Sequence, residues 1–342
     1  MSCLPDDGRP FWAVVGPERL LEAVTPLIQA RGRDADVIAV PAEHVEPNGH
    51  IEYSDIARIA SGLGPSLVTV LVLEDPACDS IRSRFASPFF ERADGPDALL
   101  GWLRLDVPEL TSYARRAVEL IARGQHETVQ TVVLLGPRER RFLELHDELE
   151  LAVSTMPAVQ TFRWSAERIR REPLVRALSL GAAALMYTGH GSAHGWLAYG
   201  GLNAEALSGG FDGSADQASA LLFSLSCRTG QTSAALSESH PRARPAFADG
   251  VIARGVAGTV LAPFEETLHQ DNRLLAKQLL RAIGSGHASL FDILDAARSD
   301  GAHLAGYTVV GDPALRALAA HGARLRGEQV FAPAADFALD RS

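Results

Sequence analysis

Residues 67–73 read LVTVLVL, an unbroken apolar run rich in β-branched side chains. A strand of that kind is buried on both faces, which places it in a parallel sheet with helices above and below. Short apolar runs recur at residues 11–15, 37–40, 102–107, 129–135, 159–164, 182–188, 221–226, 256–262 and 307–310. Helix-period segments alternate with them at residues 17–30, 54–61, 109–123, 140–154, 166–178 (with a bend expected at Pro173), 272–283 and 290–298. The alternation predicts an α/β chain with a mainly parallel central sheet. At one domain per ~150 residues, 342 residues predict about two domains. The polar stretch GQHE at residues 124–127 sets the expected boundary. Residues 1–125 then form an N-terminal α/β subdomain, 126–325 a second unit, and 326–342 a loose tail.

Composition narrows the functional classes. Hydrophobic residues at 46% and charged residues at 22% are the balance of a globular chain, which excludes wholesale disorder. No apolar stretch approaches the ~18 residues of a spanning helix. A net charge of −10 argues against nucleic acid or an anionic membrane held by bulk charge. Three scattered cysteines, Cys3, Cys78 and Cys227, are no disulfide framework. The first ten residues carry no basic segment followed by an apolar core, so a signal peptide is not expected. Both features predict a reducing, cytoplasmic setting. Lysine chemistry has one candidate, Lys277, and its helix-period surroundings read as a solvated face.

Two apolar runs end in reactive residues. The run at 182–188 leads into Gly189-His190-Gly191-Ser192, and the run at 221–226 leads into Cys227-Arg228-Thr229-Gly230. Ligands of an open α/β sheet bind outside the carboxyl ends of its strands. If the two strands are parallel neighbours, ~4.8 Å apart, His190 and Cys227 project from the same edge. A thiol must become a thiolate to attack a carbonyl, and an imidazole supplies the base and later the acid. Glycines flanking His190 allow a sharp turn and close approach to a substrate. The N–H groups of Gly191 and Cys227, past the strand ends, are candidate oxyanion donors. On the residues alone a buried, inert cysteine stays open beside the nucleophile. His190 and His194 have the spacing of a helical zinc pair, but Gly191 and Gly195 speak against a helix there.

Four segments in this order, YTGHGSAHGW (187–196), SLSCRTGQ (224–231), GVAGTVLAPFEET (255–267) and YTVVGDPALR (307–316), resemble the caspase-like cysteine peptidases of clan CD. The resemblance is to their gingipain-type and CHAT-domain branches, to which separase is related, and it covers about residues 128–320. It implies a caspase–haemoglobinase-like three-layer sandwich preceded by a second α/β subdomain. It also implies a cysteine endopeptidase with His190 as general base and acid, Cys227 as nucleophile, and Gly191 and Cys227 as oxyanion donors. A third orienting acid is not assignable by this likeness. Ser192, Trp196, Leu225, Ser226, Glu265 and Glu266 are the expected substrate contacts. Leu225 departs from the polar residue that several relatives carry two positions before the cysteine. Glu265 and Glu266 match the place of a pocket-floor acid, which would favour arginine or lysine at the cleaved position; a solvated helix N-terminus is the competing reading. Trp196 reads equally as a wall of the cleft or as packing under the loop.

The polar, proline-containing loop at residues 237–245 makes Arg242 and Arg244 candidate self-cleavage sites. The chemistry calls for no metal or organic cofactor. The resemblance extends to regulated cleavage and bacterial immunity, so the expected partners are a specific protein substrate of a toxin-like or pore-forming kind and an activating protein. Two other readings stay open: a catalytically silent caspase-like binding module, and a thiol amidase or acyltransferase on small substrates.

Overall fold

The computed structural model describes residues 9–42, 51–62, 67–92, 96–123, 130–156, 159–166, 169–179, 181–232, 246–287 and 289–316. Among them, one sheet of eleven strands runs through the molecule. The strands are β1 (Phe11–Gly16), β2 (Asp36–Pro41), β3 (Val68–Leu73), β4 (Phe89–Phe90), β5 (Ala98–Leu103), β6 (Gln130–Leu135), β7 (Val159–Arg163), β8 (Ala184–Thr188), β11 (Ser219–Leu225), β12 (Ala257–Pro263) and β13 (Tyr307–Gly311). A separate small hairpin joins β9 (Gly191–Ser192) to β10 (Gly195–Trp196). The order across the sheet is β2-β1-β3-β5-β13-β12-β11-β8-β6-β7, with β4 paired to β5.

Strand direction divides this sheet into two blocks. Strands β2, β1, β3, β5 and β13 are mutually parallel, as are β12, β11, β8, β6 and β7. The blocks meet at β12 and β13, which are antiparallel. The sheet therefore continues across residue 125. The last of the described strands, β13, inserts between a strand of the N-terminal part and one of the second unit. The carboxyl ends of the two blocks consequently face opposite edges.

Helices cover both faces and give the three layers expected of this sandwich. The helices Glu18–Ala23, Thr25–Arg31, Val107–Arg123, Arg171–Leu178, Ala204–Ser208 and Phe247–Ala253 contribute buried side chains to a core on one face. The helices Arg140–Val153, His269–Gly284 and Leu290–Ser299 pack on the other face of the second block. Tyr53–Ser61, closed by a reciprocal Glu52–Asp55 capping box, covers that face of the N-terminal block. Alternation along β11 shows the layering: Leu222 joins one core while Leu221, Phe223 and Leu225 join the other.

Three expectations need correction. The helix expected at residues 17–30 is two helices, with Val24 between them. Pro26, in the first turn of the second, lacks an N–H and collides with the carbonyl four residues back. The strand expected at 102–107 lies earlier, at Ala98–Leu103, where every residue is buried. The helix expected from residue 166 starts at Arg171, so Pro173 sits in its first turn and produces no bend. The expected tail, 326–342, lies outside the described residues.

The seam between the blocks is fixed by one buried carboxylate. Asp312, directly after β13, is fully buried. Its Oδ1 accepts from Trp12 Nε1 at 3.0 Å and its Oδ2 from Arg31 Nε at 2.9 Å, with Arg31 Nη2 closing the pair. The Asp312 N–H donates to the Tyr113 hydroxyl, which donates in turn to Gly258 O, and Asp312 O accepts from Thr259 Oγ1. A single residue of the Gly-Asp-Pro turn thus joins β1, two N-terminal helices and β12.

Candidate active site

Strands β8 and β11 are parallel neighbours, and their last registered pair is Thr188 with Leu225. His190 and Cys227 each follow that pair by two residues, so both leave the same edge at the same level. Side chains alternate with period two, which puts both on the face of Thr188 and Leu225. That face is covered by the helices Arg140–Val153 and His269–Gly284. The starts of both helices converge on the exits of β8 and β11, so partial positive charge from two helix N-termini surrounds the site.

His190 is half-exposed and anchored by its backbone, whose carbonyl accepts from the Tyr187 hydroxyl at 2.8 Å and from Leu197 N at 3.0 Å. Its Nε2 faces Glu139 Oε1 at 3.0 Å and Arg141 Nη2 at 2.7 Å, and Arg141 pairs with Glu139 at 2.9 Å. The ring meets Phe142 edge-on, with centroids 5.6 Å apart, and Phe142 meets His269 in the same way at 5.0 Å. Burial and the neighbouring Arg141 and Arg273 charges hold His269 below the usual imidazole range. Beneath lies His146, fully buried, with Nε2 3.0 Å from Thr188 Oγ1. Burial depresses its pKa to about 4, so it is a neutral structural imidazole.

Glu139 is the site residue that the sequence reading missed. It is the N-cap residue of the helix Arg140–Val153. Its only local signal is a charged GPRERR turn, which on its own is an ordinary solvated helix start. Its place beside His190 depends on β6 lying next to β8, and nothing in the spacing reports that.

Cys227 is part-buried. Its sulfur lies 3.8 Å from Thr267 O and 4.0 Å from Thr267 Oγ1. Among the described residues, Sγ and the His190 ring make no hydrogen bond to each other. Gly191 abuts the cysteine segment: a Cβ there would lie 2.6 Å from Ser226 Oγ and 3.0 Å from Cys227 O. Arg228 takes a left-handed conformation, φ 62°, which swings the chain toward the loop after β12. Its N–H donates to Glu265 O, and its guanidinium pairs with Glu266 at 2.7 Å.

The expected substrate contacts divide. Leu225 is fully buried in the helix-side core, as its parity in β11 requires. Ser226 is also buried, its Oγ against Ser224 Oγ at 3.2 Å. Trp196 is 1% exposed, stacked on Tyr187 at 4.4 Å and donating Nε1 to Ser224 Oγ at 2.9 Å. Its side chain packs under the loop. Leu225 and Ser226 are thus turned away from solvent, while Trp196 borders the hollow beside Ser192. Ser192 opens onto a hollow of about 390 Å³ that Arg171, His194 and Asn203 also line. His190 and His194 lie at a hairpin, not on a helix. Glu265 and Glu266 are exposed in the loop between β12 and the helix at His269, outside its first turn. Arg242 and Arg244 lie outside the described residues.

Among the described residues, no three His, Cys, Asp or Glu side chains gather as a metal site. None of the described helices is long and apolar enough to cross a membrane.

Comparison with solved structures gives the same architecture. The complex of Porphyromonas gingivalis RgpB pro- and mature domains aligns with a TM-score of 0.67 at 14% identity, over 91% of this chain and 80% of that one. A structure of the Arg-specific cysteine proteinase gingipain R (RgpB) gives 0.67 at 13% identity, over 92% and 80%. A further protease structure gives 0.67 at 12% identity, over 90% and 78%. A search of curated proteins returns no match. The model of peptidase family C25 matches residues 125–318, and the chain is a cysteine peptidase belonging to that family.

Proposed function

We propose that the chain is an endopeptidase that cuts a specific protein substrate by a Cys227–His190 dyad, after arginine or lysine. The observation that supports this reading is the register of β8 and β11, whose last pair, Thr188 with Leu225, lies two residues before His190 and Cys227. In the first half-reaction His190 takes the Cys227 proton. The thiolate adds to the peptide carbonyl, and the oxyanion is received by the N–H groups of Gly191 and Cys227. Collapse breaks the C–N bond, and the amine leaves with the proton held by His190. In the second, His190 takes a proton from water. The resulting hydroxide attacks the thioester, and the thiolate leaves and regains its proton.

Glu139 orients His190 from the side, and Arg141 holds Glu139. A half-exposed imidazole at an open sheet edge supports a cleft for a polypeptide over a closed pocket for a small amide. The preference for a basic residue rests on Glu265: its carboxylate is exposed beside the cysteine loop, whereas Glu266 already carries Arg228. The Arg-specific enzyme of like fold supports the same preference. We place the reaction in the cytoplasm, where Cys78 and Cys227 would keep the free thiols seen here. A toxin-like or pore-forming substrate and an activating partner remain part of the proposal by analogy of family alone.

The test is cleavage of a mixed peptide library by the purified protein beside Cys227→Ala. Cleavage lost in the variant, with basic residues before the cuts and that preference weakened in Glu265→Gln, is the expected outcome. Cleavage surviving Cys227→Ala refutes the nucleophile. Cuts indifferent to the preceding residue refute the specificity.

A further inference from the structure

Thr267 is the one residue whose polar atoms reach the Cys227 sulfur among the described residues, and a fixed chain of hydrogen bonds stands behind it. Asn272, 7% exposed on the helix His269–Gly284, donates Nδ2 to Leu225 O at 3.2 Å and to Thr267 Oγ1 at 2.9 Å. Its Oδ1 accepts from the Tyr307 hydroxyl on β13. The direction of each bond is set by chemistry. Leu225 O can only accept, so the amide nitrogen must face it. Oδ1 then faces Tyr307, whose hydroxyl donates. Both Nδ2 hydrogens are consumed, one on Leu225 O and one on Thr267 Oγ1. Burial, with Cys227 and Asp271 close by, raises the Tyr307 hydroxyl well above its usual range, so it keeps its proton.

The Thr267 hydroxyl, accepting from Asn272, must place its own proton elsewhere. Two takers lie near, the Tyr307 oxygen and the Cys227 sulfur. In the resting thiol the S–H can point to Thr267 O, 3.8 Å away. Once the proton has passed to His190, the sulfur can only accept and carries a full negative charge. A charged acceptor outcompetes a neutral phenol oxygen for the hydroxyl proton. We propose that Thr267 is the hydrogen-bond donor to the Cys227 thiolate, and that Asn272 and Tyr307 are positioning residues that aim it. This deepens the reading of Cys227 as nucleophile and rests on it. It also gives β13 a part in the chemistry: the chain runs from the seam strand through one helix to the sulfur.

The experiment measures alkylation of Cys227 by iodoacetamide at neutral pH, with the labelled peptide mapped to separate it from Cys3 and Cys78. The ultraviolet thiolate band and steady-state cleavage are followed in the same preparations. A hydrogen bond to a charged group is worth about a factor of ten or more in such an equilibrium. Thr267→Val, which keeps the shape and removes the hydroxyl, is expected to slow alkylation about tenfold. It should weaken the thiolate band and lower kcat by a similar factor at unchanged KM. Thr267→Ser restores all three. Asn272→Ser, which leaves the donor present but unaimed, gives a smaller loss of kcat with KM held. If Thr267→Val melts early, Thr267→Ala and the serine rescue read the same quantity. Alkylation at the parent rate in both hydroxyl-free variants overturns the donor role while leaving the nucleophile standing. Cleavage surviving in Cys227→Ala overturns both.

Discussion

Replacing Asp312 by asparagine strands a guanidinium inside the protein. Arg31 is 6% exposed and Asp312 fully buried, so little water is available to solvate the charge left behind. Removing one partner of a buried ion pair costs about 3–5 kcal/mol, because the survivor keeps its desolvation penalty without its attraction. Asparagine can keep its oxygen toward Trp12 Nε1, but its amide nitrogen then faces the Arg31 donors, so the loss combines the stranded charge with the two hydrogen bonds that Oδ2 accepted. Arg31→Met strands the carboxylate instead and should cost a similar amount. In Arg31→Met combined with Asp312→Asn both charges leave together, and most of the stability should return. The assay is urea unfolding of the parent, both single variants and the double variant, read as a double-mutant cycle. Losses that simply add, or a single-variant loss under about 1 kcal/mol, would refute the assignment of Asp312 as the seam's anchor.

Other consequences are open to direct measurement. Glu139→Gln keeps the size and removes the charge beside His190. Both groups are about half exposed, so the effect sits at the low end for a charge-assisted bond, about a tenfold fall in kcat with little change in melting. Gly191→Ala drives a methyl group against Ser226 and Cys227 and spreads the two strand exits; a misplacement approaching 1 Å is expected to cost about a hundredfold in kcat/KM, more than its effect on stability predicts. His146 has a folded pKa of about 4 against 6.5 when free. As pH falls through that window the unfolded chain takes up the proton first, so native stability drops, by about 3 kcal/mol in all. Glu74, whose carboxyl is raised by burial, acts with the opposite sign. The readout is therefore the difference in unfolding free energy between the parent and His146→Gln from pH 7 to pH 4, and a pH-independent difference would count against the assignment.

The legible part of this protein was whatever local patterning controls. Continuous β-branched runs are strands because only a doubly covered sheet can use them, and residues 67–73, 182–188 and 256–262 lie where that argument puts them, within a few residues. Strand exits rich in glycine were legible for the same reason. What escaped depends on which strands become neighbours. Glu139 reaches His190 only because β6 lies beside β8. The insertion of β13 between β5 and β12 joins residues far apart in the chain, and no periodicity carries that information. The buried fates of Leu225 and Ser226 follow from the parity of β11 relative to its helical layers, and that of Trp196 from its stacking on Tyr187 beneath the loop. Periodicity gives the alternation but does not say which face the catalytic edge will use.

The position of β13 has a consequence in time. A ribosome makes Cys227 some eighty residues before it makes the strand that ends at Gly311. Among the described residues β13 makes the strand pairing that links the two blocks, so a chain lacking it has no strand pair across the seam. Tyr307, which steadies Asn272 and through it Thr267, arrives with that same strand. Cys227 is therefore translated early and Tyr307 late, so a truncated product ending before β13 would carry His190 and Cys227 without the Tyr307–Asn272 hydrogen bond behind Thr267.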